Sequence, residues 1–266
     1  MQVRKRFGQH FLESSWTEKI VRAIAPRADD QFVEIGPGRG ALTLPLAATG
    51  VSIRAVEIDR DLAAELTARA PEGVTVVTGD FLDLPADTLL PPSGPVRVAG
   101  NLPYNISSPI LFKLLSLWRE TGRLVDATLM LQREVAERVA AGPGTGDYGP
   151  LSITTALHAD VTRVLQLPPG AFRPAPKVHS TVIRLAFRPM RVDLTSYQLF
   201  QTIVRTVFQQ RRKTLSNALK PALADGESGP DFLSAAGLDP MQRPETVTLD
   251  GYARLANLVA ASRHRP

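Results

Sequence analysis

The chain contains no cysteine, which removes disulfides, thiolate zinc sites and cysteine nucleophiles from consideration. Its four histidines stand far apart, so none pairs with another at metal-ligand spacing. No long uninterrupted apolar run is present, which argues against a membrane-spanning helix. The first residues, MQVRKRFGQHFLESSW, are basic but lack the apolar stretch of a secretory signal. A soluble cytoplasmic protein that uses no metal is the expectation.

What is present suffices for a real core. Of 266 residues, 44% are hydrophobic and 21% charged, enough for one large domain or a medium domain and a small one. The net charge of +5 is unevenly placed. Residues 31–189 carry 15 basic and 15 acidic groups, so the whole surplus lies in residues 1–30 and 190–266. A neutral centre with basic flanks suits contact with a polyanion, although a surplus this small also fits an ordinary solvated surface.

Along the chain, WTEKIVRAIA (16–25) has apolar residues at helical spacing. Strand and helix then alternate. Strands are expected at Gln31–Ile35, Val51–Val56, Val74–Thr78, Val96–Ala99 and Ala127–Gln132. Helices are expected at Ala41–Ala48, Arg60–Arg69, Pro109–Trp118 and Arg133–Ala140. AGPGTGDYGP (141–150) reads as a loop and Leu151–His158 as a helix. Two last strands, Val161–Leu167 and Thr181–Phe187, are joined by a proline-rich segment without a helix, which suggests an antiparallel edge. The alternation implies an α/β fold with a parallel sheet covered on both faces. From Leu194 the pattern is helical, with breaks at Pro221, 226–230 and near Pro240. These breaks place a catalytic domain at 1–189, with 1–30 as its basic leading segment, and a helical domain at 190–266.

Three features carry chemistry. In FVEIGPGRGA, Gly36, Gly38 and Gly40 lie between a strand and a helix, where glycine permits positive φ and close approach of a ligand. Glu57, 21 residues after Gly36, ends the second strand and can accept both hydroxyls of a ribose. Gly36, Gly38 and Ala41 equally satisfy a dinucleotide fingerprint, so the turn alone does not name the ligand. Asp80 ends the third strand, where it can accept from an adenine amino group or cap the segment that follows. After the fourth strand comes Asn101-Leu102-Pro103-Tyr104. By itself this is a proline-stiffened turn or a site. The Asn101 side-chain oxygen and the Leu102 carbonyl can hold the two N–H groups of an aromatic amine and turn its lone pair toward an electrophile. Pro103 stiffens the backbone and Tyr104 offers a face for a base.

The ordered set GQHFL (8–12), EIGPGRG (34–40), VEID (56–59), GDFL (79–82), NLPY (101–104) and FRPAPKVHSTVIRL (172–185) closely resembles the ribosomal RNA adenine N6,N6-dimethyltransferases. Leucine at 102, where antibiotic-resistance relatives usually carry isoleucine, leans toward the small-subunit (KsgA/RsmA) branch. His10 departs from the asparagine common in relatives. The resemblance implies a seven-stranded Rossmann-like fold that binds S-adenosylmethionine, with a small all-helical C-terminal domain. It implies that Gln9, His10 and Leu12 close over this cofactor, with Gly36 and Gly38 at its methionine end. Glu57 would then hold its ribose, Asp80 and Phe81 its adenine, and Asn101 would bridge cofactor and target. The implied substrate is a pair of adenosines near the 3′ end of 16S rRNA in a 30S particle, methylated during ribosome biogenesis by a monomeric enzyme.

For RNA, the cluster Arg211-Arg212-Lys213 is expected together on a helix as a phosphate contact, or as a solvated helix face. Leu199, Phe200, Ile203, Val207 and Phe208 read as core of the helical domain. Phe172 either sandwiches the target base against Tyr104 or is buried in a stiff loop. Three rival readings stand beside this one: a large-subunit rRNA methyltransferase of the macrolide-resistance type, an assembly factor on an inactive scaffold, and a nucleotide-dependent oxidoreductase.

Overall fold

A computed structural model describes residues 11–263. The chain forms two compact units. The first runs to Ala136 and resumes over Ala159–Arg188. The second comprises Glu137–His158 and the chain from Pro189 onward.

The first unit is built on a seven-stranded sheet. Its strands are β1 (Gln31–Ile35), β2 (Ser52–Glu57), β3 (Val74–Thr78), β4 (Val96–Asn101), β5 (Leu124–Gln132), β6 (Ala159–Leu167) and β7 (Ser180–Phe187). Their order is β3-β2-β1-β4-β5-β7-β6. The first five are parallel, and β7 runs antiparallel between β5 and β6. The expected antiparallel ending is therefore present, with the last strand inserted inside the penultimate one.

Strand character follows position. β1 lies between two parallel neighbours, and Phe32, Val33, Glu34 and Ile35 are all buried, as a two-sided strand requires. β3, at the edge, has no fully buried residue. Gly100 is dictated by close approach of β4 to β1, because a Cβ there would meet the Ile35 carbonyl at 2.8 Å.

Helix α1 (Ser14–Ile24) precedes the sheet, and α2 (Thr43–Ala47), α3 (Arg60–Thr67), α4 (Ala86–Leu89), α5 (Ser107–Thr121) and α6 (Arg133–Val139) follow β1 to β5 in turn. Asp59 caps α3 by accepting from the Asp61 and Leu62 N–H groups. Gly122, in the left-handed region at φ 65°, ends α5. Ile20, Ile24, Phe32, Leu46, Ala99 and Met130 belong to one core on the α1 side of the sheet. Helix α2 is shorter than expected, because two turn residues separate the glycines from its first turn.

The second unit contains α7 (Pro150–His158), α8 (Tyr197–Gln209), α9 (Leu215–Leu219), α10 (Gly229–Ala235) and α11 (Leu249–Arg263). Phe200, Ile203 and Val207 are buried in its core, with Leu199 and Phe208 packed against them. The units divide at Arg188/Pro189, one residue from the expected 189/190, but the segment Glu137–His158, expected in the first domain, belongs to the second unit. Tyr148, Ile153 and Leu157 pack in this helical core, and the Tyr148 hydroxyl donates to the Val247 carbonyl at 3.1 Å. Glu137–His158 is thus an excursion from the sheet unit into the helical one. Its apolar spacing suits a helix in either place, which is why breaks in composition do not locate it.

Candidate active site

The carboxyl ends of β1, β2 and β4 meet at a cleft of about 190 Å³. After β1 the backbone turns through Gly36, Gly38 and Gly40 at φ 65°, 56° and 77°, a region open to glycine with little strain. A Cβ at Gly36 would meet nothing within 4 Å, so the turn leaves open space beside its backbone.

Glu57, the last residue of β2, is buried and ties the turn to that strand. Its Oε2 accepts the Gly38 N–H and its Oε1 accepts the Asp59 N–H, both at 2.9 Å. Each carboxylate oxygen keeps acceptor capacity for a ligand hydroxyl. Asp80 follows β3 and accepts the Leu82 N–H through Oδ1 at 2.9 Å. It does not cap α4, whose N-cap is Pro85. Both Asp80 and the buried Phe81 line the cleft.

Asn101 is the final residue of β4, and the chain turns immediately after it. The Leu102 N–H still donates to the Met130 carbonyl at 3.1 Å. No described residue donates to the Leu102 carbonyl. The Pro103 carbonyl accepts from the Ile106 N–H, and the buried Ser107 hydroxyl lies 3.1 and 3.0 Å from the Pro103 and Tyr104 carbonyls. The Tyr104 hydroxyl is 2.9 Å from Ser180 Oγ at the start of β7. Burial of the half-buried ring raises the Tyr104 pKa, with the Ser180 hydrogen bond opposing the shift. The tetrapeptide is therefore a turn and a wall of the cleft at once.

The cleft gathers Leu12, Gly36, Gly38, Glu57, Asp80, Phe81 and Asn101–Tyr104 from the residues singled out in the sequence. Gln9 and His10 lie outside the described residues. Phe172 does not join them. It pairs with Leu12 in a short two-stranded ladder and is 2% exposed inside the core, so the buried-loop alternative describes it. Arg211, Arg212 and Lys213 are not on a helix; they occupy the turn after α8. Arg211 donates to the Gly146 carbonyl at 3.0 Å and lies 4.0 Å from Glu245, while Arg212 and Lys213 are exposed.

Ile58 and Glu34 are among the lining residues not singled out in the sequence. Ile58 is 46% exposed beside Glu57, and its position gives no signal. Glu34 gives one, as an acid within an otherwise apolar strand. It is 2% exposed, lines the cleft, and its Oε2 has no partner among the described residues. Burial raises its pKa to about 7; the Thr43 hydroxyl opposes the rise and the Glu57 charge adds to it.

This sheet order, with a glycine turn and a cleft at the strand ends, defines a Rossmann-like methyltransferase. Among the described residues no helix is long and apolar enough to cross a membrane, and no group of His, Asp or Glu is placed to hold a metal ion. The chain belongs to the ribosomal RNA adenine dimethylase family, whose model matches residues 1–260. It is 47% identical over 258 residues to a ribosomal RNA small subunit methyltransferase A of Nitrosococcus oceani, covering 96% of this chain and 95% of the relative. The protein of that name from Acinetobacter baylyi is 44% identical, over 96% of this chain and 92% of its own. A dimethyladenosine transferase from Plasmodium falciparum superposes with a TM-score of 0.76 at 25% identity, covering 92% of this chain and 96% of that one. The 23S rRNA methyltransferase ErmE superposes at 0.67 with 26% identity, over 94% and 99%.

Proposed function

We propose that this enzyme transfers methyl groups from S-adenosylmethionine to N6 of two adjacent adenosines near the 3′ end of 16S rRNA, in biogenesis of the small ribosomal subunit. The observation that carries the reading is one cleft bearing a ribose-type acid, an adenine-type acid and the Asn101–Tyr104 turn.

The residues present fit the cofactor. Glu57 and Asp80 are carboxylates with spare acceptor capacity for ribose hydroxyls and an adenine amine. The unpartnered Glu34 Oε2 suits the ammonium group of the methionine portion. Phe81 and Ile58 supply apolar surface for the purine. When bound, S-adenosylmethionine supplies a methyl group on a sulfonium. The Asn101 side-chain oxygen and the Leu102 carbonyl accept the two N–H groups of the target amine and stabilise positive charge developing on nitrogen. Ser107 and Pro103 hold that turn, and Tyr104 stacks on the base. Orientation of amine and methyl in line is the main contribution to rate. Arg212 and Lys213 contact RNA phosphates from the helical unit, while Arg211, bound to the Gly146 carbonyl, holds their turn in place.

The small-subunit substrate is favoured over 23S rRNA because the identity to small-subunit enzymes, 47% and 44%, exceeds the 26% to ErmE. The test is methyl transfer from labelled S-adenosylmethionine to unmethylated 30S and 50S subunits, with the modified nucleotides mapped. Two dimethylated adenosines near the 3′ end of 16S rRNA are expected. Modification of 23S rRNA, or binding of RNA without transfer, would overturn the reading.

A further inference from the structure

Helix α1 is one wall of the cleft: Leu12 precedes it and Ile20 lies on it, and both line the site. Its two ends are held differently. At the N-terminal end, the Glu13 N–H donates to the Ala171 carbonyl at 2.9 Å, and an ion pair joins Glu13 to Arg173, whose side chain is 86% exposed. Such an exposed pair holds weakly.

At the C-terminal end, a helix leaves carbonyls without intrahelical partners and carries partial negative charge. Two guanidinium groups meet them. Arg97 Nη2 donates to the Ile24 carbonyl at 2.7 Å and Nη1 to the Ala25 carbonyl at 3.2 Å. Arg184 donates to the Ala23 and Ile24 carbonyls. Arg97 is itself locked. Its Nε and Nη2 reach the two Asp126 oxygens at 2.9 and 2.8 Å, and Nη1 reaches Asp30 at 2.7 Å. The side chains of Arg97 and Asp126 are each only 12% exposed. A planar fork of five N–H donors satisfies all these acceptors together, which a lysine ammonium cannot.

Arg97 also lies on β4, on the same face as Ala99 and Asn101, because alternate strand residues share a face. One strand thus carries both the residue that fixes α1 and the residue at the reaction centre. We propose that Arg97, locked by Asp126 and Asp30, is a positioning residue for the methyl donor: it sets the position of α1 against β4 and so the wall of the donor cleft. This inference rests on the reading of the cleft as an S-adenosylmethionine site. The clamp governs donor affinity and leaves the rate at saturating donor alone, since Arg97 bonds the end of α1, Asp30 and Asp126 and no group of the Asn101–Tyr104 turn.

The experiment compares wild type with Arg97→Lys and Arg97→Ala, using calorimetry with S-adenosylmethionine, donor KM, kcat and RNA affinity. Donor Kd and KM should rise about tenfold, the scale on which loss of an orienting group behind a binding site acts. Values of kcat and RNA affinity should stay unchanged. Methylguanidinium added to Arg97→Ala should restore donor affinity, which a loss of stability alone would not allow. Unchanged donor affinity, a fall in kcat without one in affinity, or failed rescue in folded protein would each overturn the proposal. Should Arg97→Ala not fold, Asp30→Asn, which removes one arm of the lock, decides by the same donor measurements. If wild type itself does not bind S-adenosylmethionine, the functional reading fails instead.

Discussion

Glu57 accepts the backbone N–H of Gly38 at 2.9 Å, so the carboxylate that ends β2 also braces the glycine turn that follows β1. Two features that stand apart in the sequence are one mechanical unit. The other carboxylate oxygen takes the N–H of Asp59, whose own side chain caps α3. Glu57→Gln replaces one acceptor with a donor that must face a backbone N–H. Loss of a hydrogen bond to a charged group amounts to about 1.5–3 kcal/mol. Donor affinity by calorimetry should fall about tenfold or more, while RNA affinity is kept. Unaltered donor binding would exclude the ribose-holding role.

Asn101→Ala tests the reaction centre directly. The substitution removes one acceptor for the amine and leaves the Leu102 carbonyl in place. Removal of one preorganised polar group aimed at developing charge lowers kcat by about 100- to 1,000-fold. RNA binding in a filter or gel assay should be retained, and most methyl transfer lost. Near-normal turnover would refute the role.

Much of this arrangement is legible in the sequence for physical reasons. Parallel strands buried on both faces announce themselves as apolar runs, and glycine with a distant acid marks a strand-end site. The Asn101–Tyr104 turn is legible only through its place after β4. What stays hidden depends on tertiary packing. Phe172 is apolar and adjacent to prolines whether it faces a base or the core, and only its pairing with Leu12 decides. The excursion of Glu137–His158 into the helical unit contains the loop at 141–150, but a loop does not say which unit the helices beside it join. Arg211 reads with its neighbours as one basic cluster, yet it is bound to the Gly146 carbonyl.

Tyr104 and Phe172 should therefore separate when each is replaced by alanine. Phe172 is in the core, where such truncation destabilises by about 3–5 kcal/mol. Tyr104 borders the cleft, where stacking of a base is worth about 1–3 kcal/mol. Phe172→Ala should lower Tm with little change in KM for RNA in the remaining folded enzyme. Tyr104→Ala should raise that KM at a smaller loss of Tm. The reverse pattern would return Phe172 to the base pocket.

The basic turn after α8 gives a prediction that resolves its three residues. Arg212 and Lys213 are exposed, whereas Arg211 is engaged within the unit. Removing one cation that neutralises a phosphate flattens the slope of log K against log salt by about 0.7–0.9. The Arg212→Ala, Lys213→Ala double variant should bind RNA more weakly with a slope flatter by about 1.5, twice that single-site effect, whereas Arg211→Ala should mainly lower stability. An unchanged slope in the double variant would remove the turn from the RNA interface.

Glu34 predicts two opposite pH dependences from one group. Its pKa rises from 4.5 to about 7 because burial disfavours the carboxylate. A raised folded-state pKa means that the folded form holds the proton more tightly than the unfolded one. The stability this contributes is complete below 4.5 and is lost as pH rises through about 7. Donor binding runs the other way, since only the ionised carboxylate attracts the ammonium group. Between about pH 6 and 7.5, below the α-amino range, S-adenosylmethionine affinity should climb several-fold, with about a tenfold limit set by one ionisation. Glu34→Gln carries no charge over this interval. It should flatten both profiles, giving a Tm that no longer falls with pH on account of this group and a donor affinity independent of pH. If the variant keeps the wild-type affinity profile, the ammonium is held elsewhere and the unpartnered oxygen of Glu34 has another occupant.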